Sequence, residues 1–417
     1  MSRRIHWSRR AARAITVLVA ASNVACEAES RPRPARVPAP PSAAPTSVAA
    51  EPVVPDSVAR PPQPLVPTPP VVRGLYVNRW AALGQRMWEL IAVARTTEVN
   101  ALVIDVKDDR GFVLYHSNVP LAREIGADTT MPMSYRRVRA VLDTMRAHGI
   151  YPIARIVVAK DPLLAERKLA WSIKRKADPS QPWLDKNGKP WLDPHQRGVW
   201  QYAVDLAKEA VTLGFSEVQF DYVRFPDEKR LAREATFPLA NGRVRAQVIR
   251  EQLGFVRGEL RATGVPMTID VFGLTATDTT DMGIGQRWEM FIDQADVVLP
   301  MVYPSHFAPG TYRLANPNAA PSATVDHALE DAARRSAGIA GAAMIVPWYQ
   351  DFTLGPPRYG AAQVRAQIKA GYDNGVKSWM LWNPRSRYTV DALAPAIDRA
   401  DMSGVPAARP ERPAVRR

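Results

Sequence analysis

The feature that most constrains the fold of this chain is a regular alternation of short apolar runs and longer amphipathic stretches between residues 74 and 402. Runs rich in β-branched residues predict strands, and the stretches between them have the apolar spacing of helices. The sequence predicts eight strands, at 74–77, 101–106, 151–158, 217–223, 266–272, 295–302, 343–348 and 378–382. It predicts eight helices, at about 82–97, 135–148, 198–213, 244–263, 286–294, 324–338, 361–374 and 390–400.

Eightfold repetition of a strand followed by a helix predicts an α/β fold of one domain, the (β/α)8 or TIM barrel, over residues 73–403. The competing fold is a doubly wound open sheet. It is disfavoured because no Gly-x-Gly-x-x-Gly motif follows the first strand and no strand has the pattern of a sheet edge.

The two ends of the chain have a different composition from the barrel. Residues 1–30 combine a basic start with a short apolar stretch, which predicts an export signal. Cys26 follows Val24-Ala25 and is a candidate lipid anchor, with simple signal cleavage as the alternative. Residues 31–72 hold 14 Pro in 42 positions and predict a disordered, semi-extended tether. Residues 404–417 predict a disordered tail. We therefore expect an exported protein that is periplasmic, anchored to the cell envelope or secreted.

Charge and composition exclude several classes of function. Of the net charge of +14, residues 1–73 carry +6 and residues 404–417 carry +3, so the predicted barrel carries only +5. With no basic stripe that interleaves aromatic residues, nucleic acid is not expected as a partner. The single Cys and the six dispersed His argue against a zinc or iron–sulfur centre, and we expect no metal and no cofactor.

Polar residues follow the apolar strands at the points where chemistry occurs in such barrels, the carboxyl ends of the strands. Charges there are costly to bury unless they are paired or functional. Asp105 and Lys107 share one face of the second strand, and Gln219 and Asp221 share one face of the fourth. The candidate site residues are Asp105, Lys107, Asp108, Arg155, Asp221, Arg224, Asp270, Tyr303, His306, Trp348 and Trp382. The alternative is that Asp105–Lys107 and Asp221–Arg224 are structural ion pairs.

The carboxylates suggest hydrolysis of a glycosidic bond, which requires one proton donor and one nucleophile or base. Asp221 and Asp270 lie on neighbouring strands and form the candidate pair, with Asp105 or Asp108 as the alternative second acid. Arg155 and Lys107 could keep one carboxylate ionised.

Aromatic residues are placed where a sugar substrate would need them. Trp348 and Trp382 end strands and are candidate walls of the sugar site. The long segment after the third strand carries three more Trp, and its Lys186-Asn187-Gly188-Lys189 run predicts a hairpin turn. Loops of this length in a compact domain are usually functional.

Three blocks carry a resemblance to a known family: EVNALVIDVKDD at 98–109, YPIARIVV at 151–158 and GFSEVQFDYVRFP at 214–226. Together with MVYPSH at 301–306 and PWYQDF at 347–352, they resemble the signature blocks of the glycoside hydrolase family catalogued as domain of unknown function 4015 (DUF4015). The resemblance implies a barrel related to the α-amylase-like glycosidases and a polysaccharide or oligosaccharide substrate. It implies Asp221 as the nucleophile. Related barrels often carry the acid on the fifth strand as Glu, whereas this chain offers Asp270.

The favoured hypothesis is an exported or envelope-tethered glycoside hydrolase that cleaves a polysaccharide. A second hypothesis is a non-catalytic carbohydrate-binding barrel of the cell envelope, which needs the aromatic walls and no carboxylate pair. A third is a metal-dependent hydrolase that uses Asp105, Asp108 and His306, against which the poor His supply argues.

Overall fold

The structure, a computed structural model, describes residues 65–396. Eight parallel strands form a closed barrel: β1 (Arg73–Val77), β2 (Ala101–Lys107), β3 (Tyr151–Val157), β4 (Glu217–Asp221), β5 (Met267–Phe272), β6 (Val297–Val302), β7 (Trp348–Gln350) and β8 (Trp379–Trp382). Each strand pairs with the next along the chain, and β8 pairs with β1, where Arg73 lies opposite Trp379. The predicted (β/α)8 barrel is confirmed.

Helices cover the outside of the barrel between successive strands. The longer ones are α1 (Arg86–Thr96), α2 (Tyr135–Ala147), α3 (Arg197–Leu213), α4 (Arg245–Leu260), α5 (Pro321–Ser336) and α6 (Ala361–Asp373). Shorter helices are Arg79–Leu83, Pro120–Ile125, Pro162–Arg167, Leu231–Glu234 and Trp288–Phe291. The longer helices bury one apolar stripe each, as Val138, Val141, Leu142 and Met145 do in α2. None of the helices in residues 65–396 combines the length and the apolarity that crossing a membrane requires.

The sequence prediction was wrong in three elements. The seventh strand is interrupted, because Pro347 has no N–H for the ladder, and it divides into Met344–Ile345 and β7. The predicted helix at 286–294 is only the single turn Trp288–Phe291. The predicted helix at 390–400 is replaced, as far as residue 396, by the 3-10 turn Val390–Ala392 and an extended segment. Pro395 opposes a helix there, and the Ala394 carbonyl accepts a hydrogen bond from the Glu98 N–H at 2.8 Å.

The amino-terminal residues that the structure describes lie at the base of the barrel. Residues 65–72, within the predicted tether, donate and accept hydrogen bonds there. The Val66 N–H donates to Ser216 Oγ at 2.8 Å, and Thr68 Oγ1 lies 3.1 Å from the Tyr151 hydroxyl. Residues 1–64 and 397–417, which hold the predicted export signal, Cys26, most of the tether and the tail, lie outside the described residues.

Strand alternation separates two packed layers. Leu102, Ile104 and Val106 of β2 belong to the layer between barrel and helices, whereas Ala101 and Val103 belong to the layer inside the barrel. The inward series continues with Asp105, so the interior changes from apolar to charged toward the carboxyl ends of the strands. This change places the polar residues at one end of a packed barrel.

The loops after β3 and β4 pair with each other beside the mouth of the barrel. Lys174–Arg175 pairs antiparallel with Ala235–Thr236, which joins the two loops. The predicted hairpin turn is present, because Leu184 bridges to Pro190 and Gly188 has a φ of 71°. The Asp185 carboxylate accepts hydrogen bonds from the N–H groups of Asn187 and Lys189 at 2.8 and 2.9 Å.

Gly273, which directly follows β5, allows the chain to approach β6 closely. A Cβ at Gly273 would lie 2.4 Å from the Met301 carbonyl oxygen, a backbone atom that cannot rotate away. We expect Gly273→Ala to lower the free energy of unfolding by about 1–3 kcal/mol, the usual cost of overpacking. The measurement is urea unfolding followed by tryptophan fluorescence.

The matched control is Gly258→Ala on the exposed side of α4, where an added Cβ meets nothing within 4 Å. That variant should gain about 0.5–1 kcal/mol of stability from the higher helix propensity of Ala. Equal effects of the two substitutions would contradict the close approach at Gly273.

Candidate active site

A buried arginine lies at the centre of the barrel mouth. The Arg155 guanidinium on β3 donates from Nη1 to Asp105 Oδ1 at 2.5 Å and from Nη2 to Asp221 Oδ2. Its Nε lies 3.6 Å from Asp270 Oδ2. These four side chains, here called the carboxylate cluster, come from strands β2 to β5 and are all less than a tenth exposed. The structure therefore brings together the three acids that the sequence nominated as catalytic.

Asp105 has both carboxylate oxygens occupied. Oδ1 accepts from Arg155, and Oδ2 accepts from the Tyr76 hydroxyl on β1 at 2.6 Å. Burial raises the pKa of Asp105 to about 6, against the opposing charge of Arg155. Because both of its oxygens already accept hydrogen bonds from side chains, Asp105 is suited to position Arg155 rather than to contact substrate.

Asp221 ends β4 and lies on the wall of an open cleft. Its Oδ2 accepts from Arg155, and its Oδ1 accepts from the Tyr222 N–H at 2.5 Å. Tyr222 has a φ of 54°, a left-handed conformation that is uncommon for a non-glycine residue. The Tyr222 N–H and the Arg155 guanidinium are thus the two donors to the Asp221 carboxylate.

Asp270 on β5 differs from Asp221 in its surroundings. Oδ1 accepts from Gln219 Nε2 at 2.7 Å and from Trp348 Nε1 at 2.6 Å. Oδ2 is buried and has no hydrogen-bond partner within residues 65–396. Burial, and then the negative charge of Asp221, raise the pKa of Asp270 to about 8. Asp270 is therefore protonated at neutral pH, and Oδ2 is the oxygen that can carry the proton.

The charge balance of the cluster explains this arrangement. Burial by itself would lower the pKa of Arg155, but the charges of Asp105 and Asp221 outweigh it and raise the pKa. One guanidinium cannot neutralise three buried carboxylates, so the most buried of the three keeps its proton. Nε and Nη2 form one edge of the guanidinium, so Asp270 and Asp221 face the same edge and lie close to each other.

Aromatic side chains form a wall around the cluster. The rings of Tyr76 and Trp382 stack with centroids 3.8 Å apart and an interplanar angle of 15°. The Arg155 guanidinium lies over both rings, 5.3 Å from Tyr76 and 5.1 Å from Trp382. Trp348 meets Trp382 edge to face at 5.5 Å, and Tyr303 lies 6.4 Å from Trp382. This aromatic wall holds the cation and presents flat apolar surface beside the acids.

The cleft above the cluster has a volume of about 600 Å³. Six predicted site residues line it: Arg155, Asp221, Arg224, Tyr303, His306 and Trp382. The buried hydroxyl of Tyr303 has no hydrogen-bond partner within the described residues, so it is free to bond a molecule in the cleft. His306, whose pKa is lowered by burial, contacts Tyr303 and Phe352 at the rim.

Other predicted site residues lie outside the cleft wall. Lys107 is buried against Asp161, with Nζ 2.7 Å from Oδ2, and donates to the Val157 carbonyl. An irregularity in β2 between Asp105 and Lys107 takes the two side chains to different partners. Asp108 pairs with Arg110 at 2.5 Å. Asp270 and Trp348 are buried directly behind the wall, where Trp348 Nε1 donates to Asp270 Oδ1. Arg224 does line the cleft, but it pairs with Asp227 at 3.2 Å rather than with Asp221.

Four residues outside the candidate list contribute to the site: Tyr76, Gln219, Trp191 and Tyr222 contact the cluster or line the cleft. The sequence placed Gln219 on the face of Asp221 without giving it a role, and the same inward alternation along β1 could have identified Tyr76. No local sequence pattern predicts the role of Tyr222, because that residue contributes its backbone N–H to the Asp221 carboxylate.

Within residues 65–396, no group of three or more His, Cys, Asp and Glu side chains is arranged to hold a metal ion. The three residues of the metal hypothesis have separate partners: Asp105 binds Arg155, Asp108 binds Arg110, and His306 lies at the rim.

A closed parallel barrel with paired acids and an aromatic wall at the carboxyl ends of its strands defines a glycosidase-like TIM-barrel protein. The chain belongs to the DUF4015 family, described as "Putative glycosyl hydrolase domain", whose model matches residues 74–388, more than half of the chain. None of the curated proteins matches it.

Two solved structures show the same fold, and a third is similar in sequence. The PgaB (BpsB) glycoside hydrolase domain from Bordetella bronchiseptica aligns over 76% of this chain and 95% of its own, with a TM-score of 0.54 and 11% identity. Alpha-L-fucosidase isoenzyme 2 from Paenibacillus thiaminolyticus aligns over 77% of this chain and 48% of its own, with a TM-score of 0.51 and 14% identity. A hypothetical protein from Ruminiclostridium thermocellum is 37% identical over 47% of this chain and 97% of its own, with a TM-score of 0.42.

Removing the central cation should destabilise the protein strongly. Arg155→Met leaves the acids of the cluster buried without a cation, and we expect a loss of about 3–5 kcal/mol in the free energy of unfolding at pH 7. The loss should shrink at pH 5, because Asp105, with a pKa of about 6, is then protonated, whereas Asp270, with a pKa of about 8, is protonated at both pH values. Urea unfolding at the two pH values measures both effects.

The matched control is Arg250→Met, which breaks a partly exposed pair with Asp293 at 2.6 Å. A surface pair of this kind contributes about 0–1 kcal/mol. A loss at Arg155 no larger than that at Arg250 would show that the cluster does not depend on the guanidinium.

Proposed function

We propose that this protein is a glycoside hydrolase that cleaves a polysaccharide, with Asp270 as general acid and Asp221 as nucleophile or base. The observation that carries the proposal is the contrast between two neighbouring carboxyl groups. Asp270 has a pKa raised to about 8 by burial and by Asp221, whereas Asp221 lies at the cleft wall and accepts from Arg155 and the Tyr222 N–H. Two titratable groups in opposed environments are typical of an acid and its partner.

In the proposed reaction, the proton on Asp270 Oδ2 moves to the glycosidic oxygen as the bond from that oxygen to the anomeric carbon breaks. Asp221 either attacks the anomeric carbon or takes a proton from the attacking water. Gln219 and Trp348 fix the other oxygen of Asp270, so the proton is directed from Oδ2. Arg155 stabilises the negative charge of Asp221 before the reaction and of Asp270 after it.

The aromatic wall supplies the sugar-binding surface in this proposal. Trp382 and Tyr303 line the cleft beside Arg155, and sugar rings stack on aromatic faces of this kind. Asp105, placed as an alternative acid by the sequence, acts here through Arg155. The predicted export signal and the candidate lipid anchor at Cys26 would place the enzyme in the periplasm, on the envelope or outside the cell.

Substitution of the two acids tests the assignment. We expect Asp221→Asn to lower kcat by at least about a thousandfold on whichever polysaccharide the wild type degrades, because the group opposite the acid is removed. Asp270→Asn should lower kcat on the same polymer by about 100- to 10,000-fold, the usual contribution of a general acid. The measurement is release of reducing sugar from a panel of envelope and plant polysaccharides.

The control is Asp108→Asn, a buried acid near the mouth that is paired with Arg110. It should retain more activity than either variant of the pair. Normal turnover by Asp221→Asn would remove that residue from the reaction. Polysaccharide binding by the wild type without hydrolysis of any polymer would favour the non-catalytic carbohydrate-binding barrel.

The pH dependence follows from the protonated state of Asp270. A general acid must carry its proton, so kcat/KM on a polysaccharide should fall as the pH rises through about 8. In a 2,4-dinitrophenyl glycoside of the same sugar, the leaving group is a stable phenolate that departs without protonation. Cleavage of that substrate should therefore show no such alkaline limb. An identical limb with both substrates would contradict the role of Asp270.

Stability gives an independent check on the same group. The pKa of Asp270 in the folded protein is raised from 3.8 to about 8, so ionised Asp270 destabilises the fold. Asp270→Asn should therefore gain stability relative to the wild type as the pH rises from about 4 to about 8.

A further inference from the structure

A second concave surface adjoins the cleft on the side of the loops after β3 and β4. It has a volume of about 1040 Å³ and is lined by the hairpin around Lys186, the segment around Arg175 and the helix Leu231–Glu234. Asp185 and Lys186 line both this surface and the catalytic cleft. The second surface, which is named here the basic groove, therefore adjoins the cleft at the hairpin.

The charge of the basic groove is strongly one-sided. Its cations are Arg175, Lys176, Lys186, Arg230 and Arg233, and its acids are Asp185 and Glu234. Arg230 is balanced by Glu228 at 2.8 Å and by Glu234 at 3.4 Å, and Glu234 also lies 3.8 Å from Arg233. Within residues 65–396, no acid lies within 4.0 Å of the charged ends of Arg175, Lys176 or Lys186. Asp185 is turned inward to Trp191 and the hairpin N–H groups.

The backbone holds these cations in place. The Lys176 N–H donates to the Glu234 carbonyl at 2.7 Å, and the Arg175 N–H donates to the Gln181 carbonyl at 3.0 Å. The Lys186 N–H donates to Glu228 Oε1 at 2.7 Å. Trp183, buried beneath the groove, lies under Arg230 at 5.5 Å. Three chain segments are thus tied together with their cations on one concave face.

Unpaired cations in a concavity raise the local concentration of anions and attract them more strongly than cations on a convex surface. An aromatic cleft that leads into such a groove fits a polymer whose sugar rings are uncharged at the point of cleavage and carry anionic groups beyond it. We propose that the basic groove is a subsite for an anionic polysaccharide, one with carboxylate or similar acidic substituents. The inference rests on the proposed function and narrows its substrate class.

Binding to two polymers with the same backbone tests the proposal. The full chain carrying Asp221→Asn is titrated with carboxymethyl cellulose, which is anionic, and with hydroxyethyl cellulose, which is neutral. We expect at least about tenfold tighter binding to the anionic polymer at about 50 mM NaCl, and a loss of that preference at about 500 mM NaCl, where charges are screened within a few ångströms. Affinity electrophoresis or thermophoresis measures the dissociation constants.

Substitutions in the basic groove test whether its cations cause the preference for the anionic polymer. Arg175→Gln, Lys176→Gln and Lys186→Gln combined should weaken binding to carboxymethyl cellulose by at least about tenfold. The matched control is Lys369→Gln on α6, an exposed cation far along the chain that pairs with Asp373 at 2.5 Å, and it should bind as the parent does. All three residues are exposed, so the variant is expected to fold, and thermal unfolding checks this.

Three results would overturn the proposal: equal affinity for the two cellulose derivatives, unchanged affinity in the combined variant, or equal or tighter binding of an oligothymidylate, which would indicate a nucleic-acid surface. These readouts do not depend on turnover. Polyanion binding without hydrolysis of any glycan would support the anionic subsite and contradict the proposed hydrolase activity. Hydrolysis of neutral glycans alone would support the hydrolase activity and contradict the anionic subsite.

Discussion

The contact on which the rest of the site depends is the one between Arg155 and the acids around it. A guanidinium that lies 3% exposed inside a barrel is held by carboxylates from strands on both sides of its own. Each of these acids alone would be costly to bury, and so would the cation. Their mutual placement also sets the protonation of the cluster, because one positive charge cannot satisfy three negative ones. The same geometry therefore accounts for a stable barrel mouth and for an acid that keeps its proton.

The division of the molecule into barrel and loops explains how one scaffold serves two kinds of surface. The inward residues of the strands are fixed by the pleat and packed on the apolar layer below, so the cluster has little freedom to move. The loops after β3 and β4 carry the cations of the basic groove, and a small antiparallel sheet ties them together. The mild positive charge of the barrel region is thus unevenly distributed, which a sum over the sequence cannot reveal.

The sequence predicted the fold and most of the cluster because both depend on periodicity. Alternation along β2 to β5 places Asp105, Arg155, Asp221 and Asp270 inward, and parallel strands bring such residues to one end. The partners of Lys107 could not be predicted, because an irregular step in β2 redirects it to Asp161. Asn78 shows a similar limit: it directly follows the first strand, at the end where site residues lie, but its side chain caps the helix Arg79–Leu83. Contacts made by a loop or by an irregular strand depend on tertiary geometry that no local pattern encodes.

The stacking of Tyr76 on Trp382 joins the first strand of the barrel to the last. These two rings lie more than 300 positions apart in the chain, yet both cover the guanidinium at the centre. A ribosome-bound chain that has completed seven strands still lacks one side of the wall, and it also lacks the ladder that closes the ring. The complete cleft therefore requires the first and last strands to be present and paired. No half-barrel precursor of this protein, whether an assembly intermediate or a proteolytic fragment, would contain a usable version of the site.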